Sequence, residues 1–293
     1  MFLNLLCLLF ALFSSLALPC ASCGGGGDDP LILYPNEKWK VYVGQSKTFN
    51  FKNISSEGIQ VTEGGVTSKD QLTISGGVSF SERIFTTFTL PLIVNHIESS
   101  SRMAMGDPSF STRYTFVLPS IAEPIFLPQL QLIFGFKPAI ARSVRDSQDL
   151  KTLIDVFGTG FSEAKVGLDL WYGLYALKMG MALVLTQGFS RTFDKVIYSP
   201  SLGNILTLTT SYQWNQIFKT TVGINRDYKG ELAMNRTNLE NSDQLNHSVF
   251  MNQDFMLVND STLRLSYLRT AAILNNRNTS QINSLSIACM KSF

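Results

Sequence analysis

Charged side chains recur at every second position in several otherwise apolar segments of this 293-residue chain. Segment 161–173 carries Glu163, Lys165 and Asp169 at alternate positions, and the residues between them are mostly apolar. Successive side chains of a β-strand point to opposite faces, so these charges would share one side of a strand. Such a row can bind ions, form ion pairs or take part in acid–base chemistry.

Eight charged residues form the candidate functional set, because each falls on the polar face of an alternating segment. Opposite signs within one enclosed set can create a transverse electric field, or they can pair into a network that closes the space. The sequence leaves both alternatives open. The residues are Arg113, Lys137, Glu163, Lys165, Asp169, Asp227, Asp254 and Arg264.

Catalytic chemistry has little support. A serine hydrolase needs a histidine base that a polar residue orients, and the chain has only two histidines, His96 and His247. Neither lies near a Gly-x-Ser-x-Gly motif. Asp169, Asp227 and Asp254 would supply paired carboxylates only if the fold brought them together. We therefore predict that the protein is not an enzyme and has no catalytic residues.

One pair of cysteines, Cys20-Ala-Ser-Cys23, has a spacing that suits a tight disulfide or a soft metal. A single C-x-x-C is only half of a zinc site, so we predict no metal and no cofactor. The sequence leaves open whether Cys20 and Cys23 form a disulfide.

The elements that would position the charged set are alternating segments of about nine to fifteen residues, the length of a tilted membrane strand. An even number of them returns both termini to one side. The sequence thus predicts an all-β fold, a single closed antiparallel transmembrane β-barrel of about twelve strands. The predicted strands are 38–52, 72–82, 84–97, 107–118, 125–138, 161–173, 178–193, 204–216, 218–229, 248–258, 261–273 and 281–293.

The connections between these segments alternate in length, which favours a membrane barrel with short periplasmic turns and long outer loops. A soluble β-sandwich, the alternative, has no reason to alternate. The long connections are 53–71, 98–106, 139–160, 194–203 and 230–247, with 274–280 intermediate.

Composition and the carboxyl terminus agree with a lipid-facing surface. Charged residues make up 16% of the chain, whereas soluble domains have about 25%. A net charge of +2 gives no reason to expect a nucleic-acid partner. The final strand places Leu285, Ile287 and Phe293 on one face. We expect this strand to close against the region near Trp39, and its end at Phe293 to be the contact for outer-membrane assembly machinery.

The amino terminus resembles an export signal. Residues 1–17 combine an apolar core with Ser15-Leu16-Ala17, whose small residues suit signal peptidase, although cleavage as late as 22 is an alternative. An uncleaved anchor helix is the other alternative, because no Lys or Arg precedes the core. We predict a flexible Cys/Gly-rich periplasmic tether at 18–37 and the barrel at 38–293.

One segment resembles a known family. Met105 to Tyr114 (MGDPSFSTRY) is similar to the Gly-Asp segment of outer-membrane proteins assigned to the meta-cleavage pathway of phenol degradation. The Cys-rich start before a Gly-rich run is similar to the same group. This resemblance implies a barrel that passes aromatic or other apolar small molecules.

The function predicted from these features is a passive pore in the bacterial outer membrane, in contact with lipid and with small solutes. Segment 178–193 is apolar on both faces, which favours apolar or aromatic molecules as the transported solutes. The alternative is a closed structural barrel whose loops 53–71, 139–160 and 230–247 bind a partner, and a hydrolase is the least favoured. Ser147 to Val156 has the pattern of a short helix that either plugs the barrel or packs on its rim.

Overall fold

A computed structural model describes residues 31, 33, 37–57, 59–61, 68–97, 100–117, 128–149, 152–174, 176–271 and 274–293. The predicted signal segment 1–17 and the Cys20–Cys23 pair lie outside the described residues. Within the described ranges, no helix is long and apolar enough to cross a membrane.

Twelve long strands of the described chain form one closed antiparallel sheet, in which each strand pairs with its neighbours in sequence. The last strand pairs with the first, so the predicted barrel is confirmed. The strands are β1 (Trp39–Ile54), β2 (Ser68–Ser81), β3 (Ile84–Ile97), β4 (Ser109–Val117), β5 (Gln129–Lys137), β6 (Glu163–Leu174), β7 (Leu177–Gly188), β8 (Gly203–Gln213), β9 (Phe218–Lys229), β10 (Gln244–Met256), β11 (Ser261–Thr270) and β12 (Thr279–Ser292).

The seam between β12 and β1 involves the terminal residue. Phe293 N donates a hydrogen bond of 2.9 Å to the Trp39 carbonyl, and Lys38 N donates one of 3.0 Å to the Phe293 carbonyl. The Trp39 and Phe293 rings stack with centroids 3.8 Å apart. Closure leaves no unpaired edge among the twelve described strands of the barrel, which a barrel in hydrocarbon requires. The expectation that the last strand closes near Trp39 is confirmed.

The two faces of the barrel are reversed relative to a soluble protein. Leu168, Val166 and Phe134 face outward and are 49%, 42% and 49% exposed, whereas the inward-facing Gln131 and Asp169 are 1% and 2% exposed. Polar side chains therefore line the lumen and apolar side chains cover the outside, as in a membrane barrel.

Gln45 and Lys47 are polar residues in the outward row of β1. Pairing with β12 continues unbroken through Gln45↔Ile287 and Lys47↔Leu285, and the irregularity in this pair of strands comes later, between Asn50 and Lys52. The outward position of Lys47 is thus part of the regular strand.

The long connections contain further strands. Ser100–Met105 pairs with Leu92–Ile97 of β3 and extends the sheet, so the expectation of a connection without a strand over 98–106 was wrong. Four short strands in the loops after β7 and β9 form a separate sheet above the barrel: Arg191–Phe193, Val196–Pro200, Leu232–Met234 and Thr237–Asn238.

A bulge follows the strand Ser100–Met105. Gly106, Asp107 and Pro108 lie opposite only Leu90 and Pro91, because Met105 pairs with Leu92 and Ser109 pairs with Thr89. Pro91 has no N–H to donate, so an interruption of the ladder at this point costs little. Bulges of this kind redirect side chains, and here the side chain of Asp107 turns towards the loop between β5 and β6.

Candidate functional site

The lumen holds the charged residues that the alternating pattern placed on the polar face. Arg113 of β4 donates a hydrogen bond of 2.9 Å to the Asp169 carboxylate of β6, and both side chains are buried. Strand β5 lies between the two strands that carry this pair, and its Gln131 lies in register with Asp169. Mutual neutralisation is what makes two buried charges tolerable here.

A second cluster surrounds Asp254 in β10. Arg264 binds its carboxylate through Nε at 2.6 Å and Nη2 at 3.0 Å, and Lys219 Nζ lies 3.1 Å from it. Both cations lie directly opposite Asp254 in the neighbouring strands. Sequence reasoning missed Lys219, although it shares the parity of Asn225 and Asp227 in the same strand. The cluster combines one carboxylate with two cations.

The remaining predicted residues lie nearer the end of the barrel that carries the long loops. Lys137 of β5 pairs in register with Glu163 of β6, and Lys165 lies opposite Gly135. Asp227 of β9 lies between Ile205 and Asn246. The structure thus brings four of the eight predicted residues into two ion-pair clusters, and it places the other four elsewhere on the inward rows.

The loop between β5 and β6 folds into the barrel. Asn95 of β3 faces the lumen, and its Nδ2 donates hydrogen bonds to the carbonyls of Ile154 (3.1 Å) and Val156 (2.8 Å). These bonds attach the loop to the barrel wall. The described part of the predicted helix 147–156 is not helical, and the turn that does form is a 3-10 helix at Val144–Asp146.

Asp107 is the second anchor of this loop. Its carboxylate accepts hydrogen bonds from the backbone N–H groups of Ile140 (3.0 Å), Ala141 (2.9 Å) and Thr159 (3.0 Å). Asp107 thus holds both ends of the loop, and it lies in the Met105–Tyr114 segment noted in the sequence. Its role was not predictable, because its partners lie more than thirty residues away.

Gly158 is required where the loop passes Asp107. A Cβ atom at this position would lie 2.7 Å from an Asp107 carboxylate oxygen and 2.8 Å from Ala141 Cβ. Gly160, two residues later, has φ +83°, which favours glycine, and a Cβ atom there would lie 2.5 Å from Ser143 Cβ. The Gly-Thr-Gly sequence therefore permits the inward turn.

Outside the barrel, Arg145 links the loop to the short sheet above the rim. Its guanidinium carbon lies 4.2 Å from the Tyr198 ring centroid and 5.4 Å from that of Phe161, with Phe193 at 5.7 Å. Cation–π contacts contribute about 0.5–1 kcal/mol each at exposed sites and more when water is excluded. They hold the outer part of the loop against the strand pair 191–200.

Asp155 organises the interior of the same loop. Burial by itself would raise the pKa of the Asp155 carboxyl, but hydrogen bonds from Ser147, the Gln148 N–H and Arg142 outweigh it and hold this pKa well below its ordinary range. The Arg142 contact is an ion pair of 2.8 Å. A carboxylate that accepts several hydrogen bonds stabilises the loop only while it is ionised.

The docked loop leaves a cavity of about 750 Å³ in the lumen. This volume lies within the range of small-molecule sites, about 300–1,000 Å³. The wall is mainly hydroxyl, amide and cationic, with aromatic groups from Tyr42, Phe157 and Phe250. Residues 156–159 of the loop form part of the wall.

The middle of the inward side of β7, at Gly180, Ala182 and Val184, is apolar. A Cβ atom on Gly180 would lie 2.8 Å from the ring of Trp171, so the indole covers this glycine inside the barrel. Val184 packs similarly over Gly167. On the outward side of β7, Met181 and Leu183 are exposed.

At the end of the barrel with short turns, two described residues before β1 lie inside the lumen. Leu31 and Leu33 are 0% and 2% exposed, and Leu33 packs against Phe85 and the backbone at Gly77. Glu37 forms an ion pair of 3.0 Å with Lys40 nearby. These residues belong to segment 18–37, which the sequence predicted to be a tether.

The two histidines have structural partners. His96 Nε2 lies 2.9 Å from Asp70 on the outer face, and His247 Nδ1 lies 3.1 Å from the Asn276 side chain. In the portion of the chain that the structure describes, no three His, Cys, Asp or Glu residues are grouped so as to hold a metal ion.

The similarity of this chain to known proteins lies in its fold. No protein-family model and no curated protein matches the chain. An outer-membrane channel from Pseudomonas putida F1 is similar in structure, with a TM-score of 0.67, 10% identity, and coverage of 88% of this chain and 96% of that chain. The NanC porin (10% identity, 86% and 98% coverage, TM-score 0.48) and the CymD monoaromatic hydrocarbon channel (8%, 88% and 89%, 0.43) are similar to a lesser degree. On the first of these similarities, the chain has the β-barrel fold of an outer-membrane channel.

Proposed function

We propose that this protein is a channel of the bacterial outer membrane that passes small solutes passively. The observation that carries the proposal is a polar cavity of about 750 Å³ inside a closed barrel whose outer face is apolar. Twelve strands enclose more space than the eight-strand barrels that side chains can fill. The lipid partner follows from the apolar outer face, and Phe293 at the seam would be the signal for barrel assembly.

The proposal also covers the amino terminus and the family that one segment of the chain resembles. Residues 1–17 would be removed on export, and the region before β1 would then lie on the periplasmic side. The MGDPSFSTRY segment is the feature that suggests a relation to the outer-membrane proteins of the meta-cleavage pathway, and Asp107 within it anchors the loop that shapes the cavity. The Trp171 region adds an apolar surface for aromatic solutes.

Conductance tests this function. The purified barrel, reconstituted in planar bilayers and in liposomes, should give discrete current steps and solute-dependent swelling. Heat-modifiable migration on gels would establish that the barrel is folded in the same preparations. A folded barrel that gives neither current nor swelling would refute the channel.

The second candidate function, a closed structural barrel, is favoured by Leu33 and by the docked loop, since both occupy the lumen. Leu33→Asp should loosen the packing against Phe85 and raise the conductance of a channel. If the wild type and this variant are both folded and neither conducts current, the closed barrel is the better description.

A further inference from the structure

Two lysines in the lumen stand apart from the ion-pair clusters. Lys69 of β2 and Lys137 of β5 line the same cavity, where their like charges repel each other. Among the described residues, neither ammonium group makes an ion pair or a side-chain hydrogen bond that would neutralise it. Two like charges near each other in a partly enclosed space favour an anion between or beside them.

Both lysines lie beside the docked loop. Lys69 lies in register with Asn95, which binds the loop at Val156, and Lys137 is followed closely by Ile140, which binds Asp107. The pair therefore flanks the place where residues 156–159 enter the lumen. A solute that passes through the barrel must pass this narrowed level.

In the described part of the chain, the nearby acidic groups make no ion pair with either lysine. Glu163 lies in register with Lys137, yet the two form no ion pair within 4.0 Å among the described residues. Asp107 also lines the cavity, but three loop N–H groups and the Thr159 hydroxyl occupy its oxygens.

The surrounding wall suits an organic anion. Tyr42, Phe157 and Phe250 offer aromatic surface in the cavity, while Thr48 and Gln71 offer hydrogen bonds. Simple halide ions would use only the charge, whereas an aromatic carboxylate would use both the charge and the rings.

We propose that Lys69 and Lys137 form a selectivity site for small carboxylate-bearing solutes, aromatic carboxylates in particular. This inference rests on the proposed channel function and names the solute class of the same lumen. Their charges attract a carboxylate to the narrowed level and oppose the passage of cations of the same size.

The test compares three probes of similar shape: benzoate, benzyl alcohol and benzylammonium. Reversal potentials in bilayers give the benzoate-to-benzylammonium permeability ratio for the wild type and for the double variant Lys69→Gln, Lys137→Gln. We expect the ratio to favour benzoate and to fall about tenfold in the double variant, equivalent to about 1.4 kcal/mol. Liposome flux of benzyl alcohol should be unchanged.

Matched variants separate selectivity from misfolding. Lys47→Gln removes the same charge from the outer face and should leave the ratio unchanged, while Lys69→Arg with Lys137→Arg should retain it. An unchanged ratio in the double Gln variant, with current preserved, would overturn the selectivity site and leave the channel standing.

Direct binding distinguishes the two proposals further. The ¹⁹F NMR line of 4-fluorobenzoate should broaden with the wild-type barrel in detergent, and less so with the double Gln variant. Lysine-dependent broadening in a barrel that does not conduct would retain the carboxylate site and refute the channel. Equal broadening in both proteins would refute the site.

Discussion

Replacing Asp107 should release the loop that narrows the lumen. The Asp107 carboxylate accepts three backbone N–H bonds of 2.9–3.0 Å from both ends of the loop. Hydrogen bonds to a charged group contribute about 1.5–3 kcal/mol each, and bonds that share one acceptor do not add fully. We therefore expect Asp107→Ala to weaken docking by about 4 kcal/mol, which shifts the ratio of docked to released loop about a thousandfold.

Single-channel recording measures this release, because a displaced loop widens the conducting path. Asp107→Ala should raise the mean conductance and broaden its distribution, and adding Asn95→Ala should raise it again by removing the two bonds to the loop carbonyls. Asp70→Ala removes a carboxylate from the outer face and is the matched control. Conductance of the double variant equal to that of the wild type would refute the role of these anchors.

Three further predictions concern the same lumen. Gly158→Ala should raise conductance as Asp107→Ala does, because its Cβ would lie 2.7 Å from the anchoring carboxylate; an unchanged current histogram would contradict this. Asp254→Ala should lower the free energy of unfolding by about 3–5 kcal/mol, since it removes the carboxylate that two buried cations bind. The midpoint of heat-modifiable gel migration measures this, with the exposed Glu82→Ala as control. For Asp155, whose folded pKa is depressed, the stabilisation is complete above its ordinary value of 3.8 and is lost as pH falls below it. Conductance should therefore be constant from about pH 5 to 8 and change only in stronger acid, and Asp155→Asn should show the altered conductance already at neutral pH.

Much of the barrel was predictable because its rules are local. The spans 84–97 and 218–229 agree with the observed strands at both ends, and the inward positions of Arg113 and Asp169 follow from alternation alone. A shift of one residue would turn such charges towards lipid at a cost of about 2–4 kcal/mol for a cation, so period two determines the face.

The shape of the cavity was not predictable in this way. Asn95 directly follows the apolar run 90–94, and Asp107 precedes a proline, yet together they hold a loop from a distant part of the chain. The burial of Leu33 against Phe85 likewise joins segments separated by a long stretch of sequence. No local pattern encodes which loop turns inward, because the partners are separated by more than thirty residues of sequence.

The alternation of apolar and polar residues thus determined by itself that the chain forms a closed barrel with a polar lumen, since each strand must satisfy lipid on one side. Only the tertiary structure decided how that lumen is divided. Arg113 with Asp169, and Asp254 with Arg264, neutralise each other because strand register places them within hydrogen-bonding distance. Lys69 and Lys137 line the cavity beside the docked loop, and strand register brings no described carboxylate into ion-pair distance of either ammonium group.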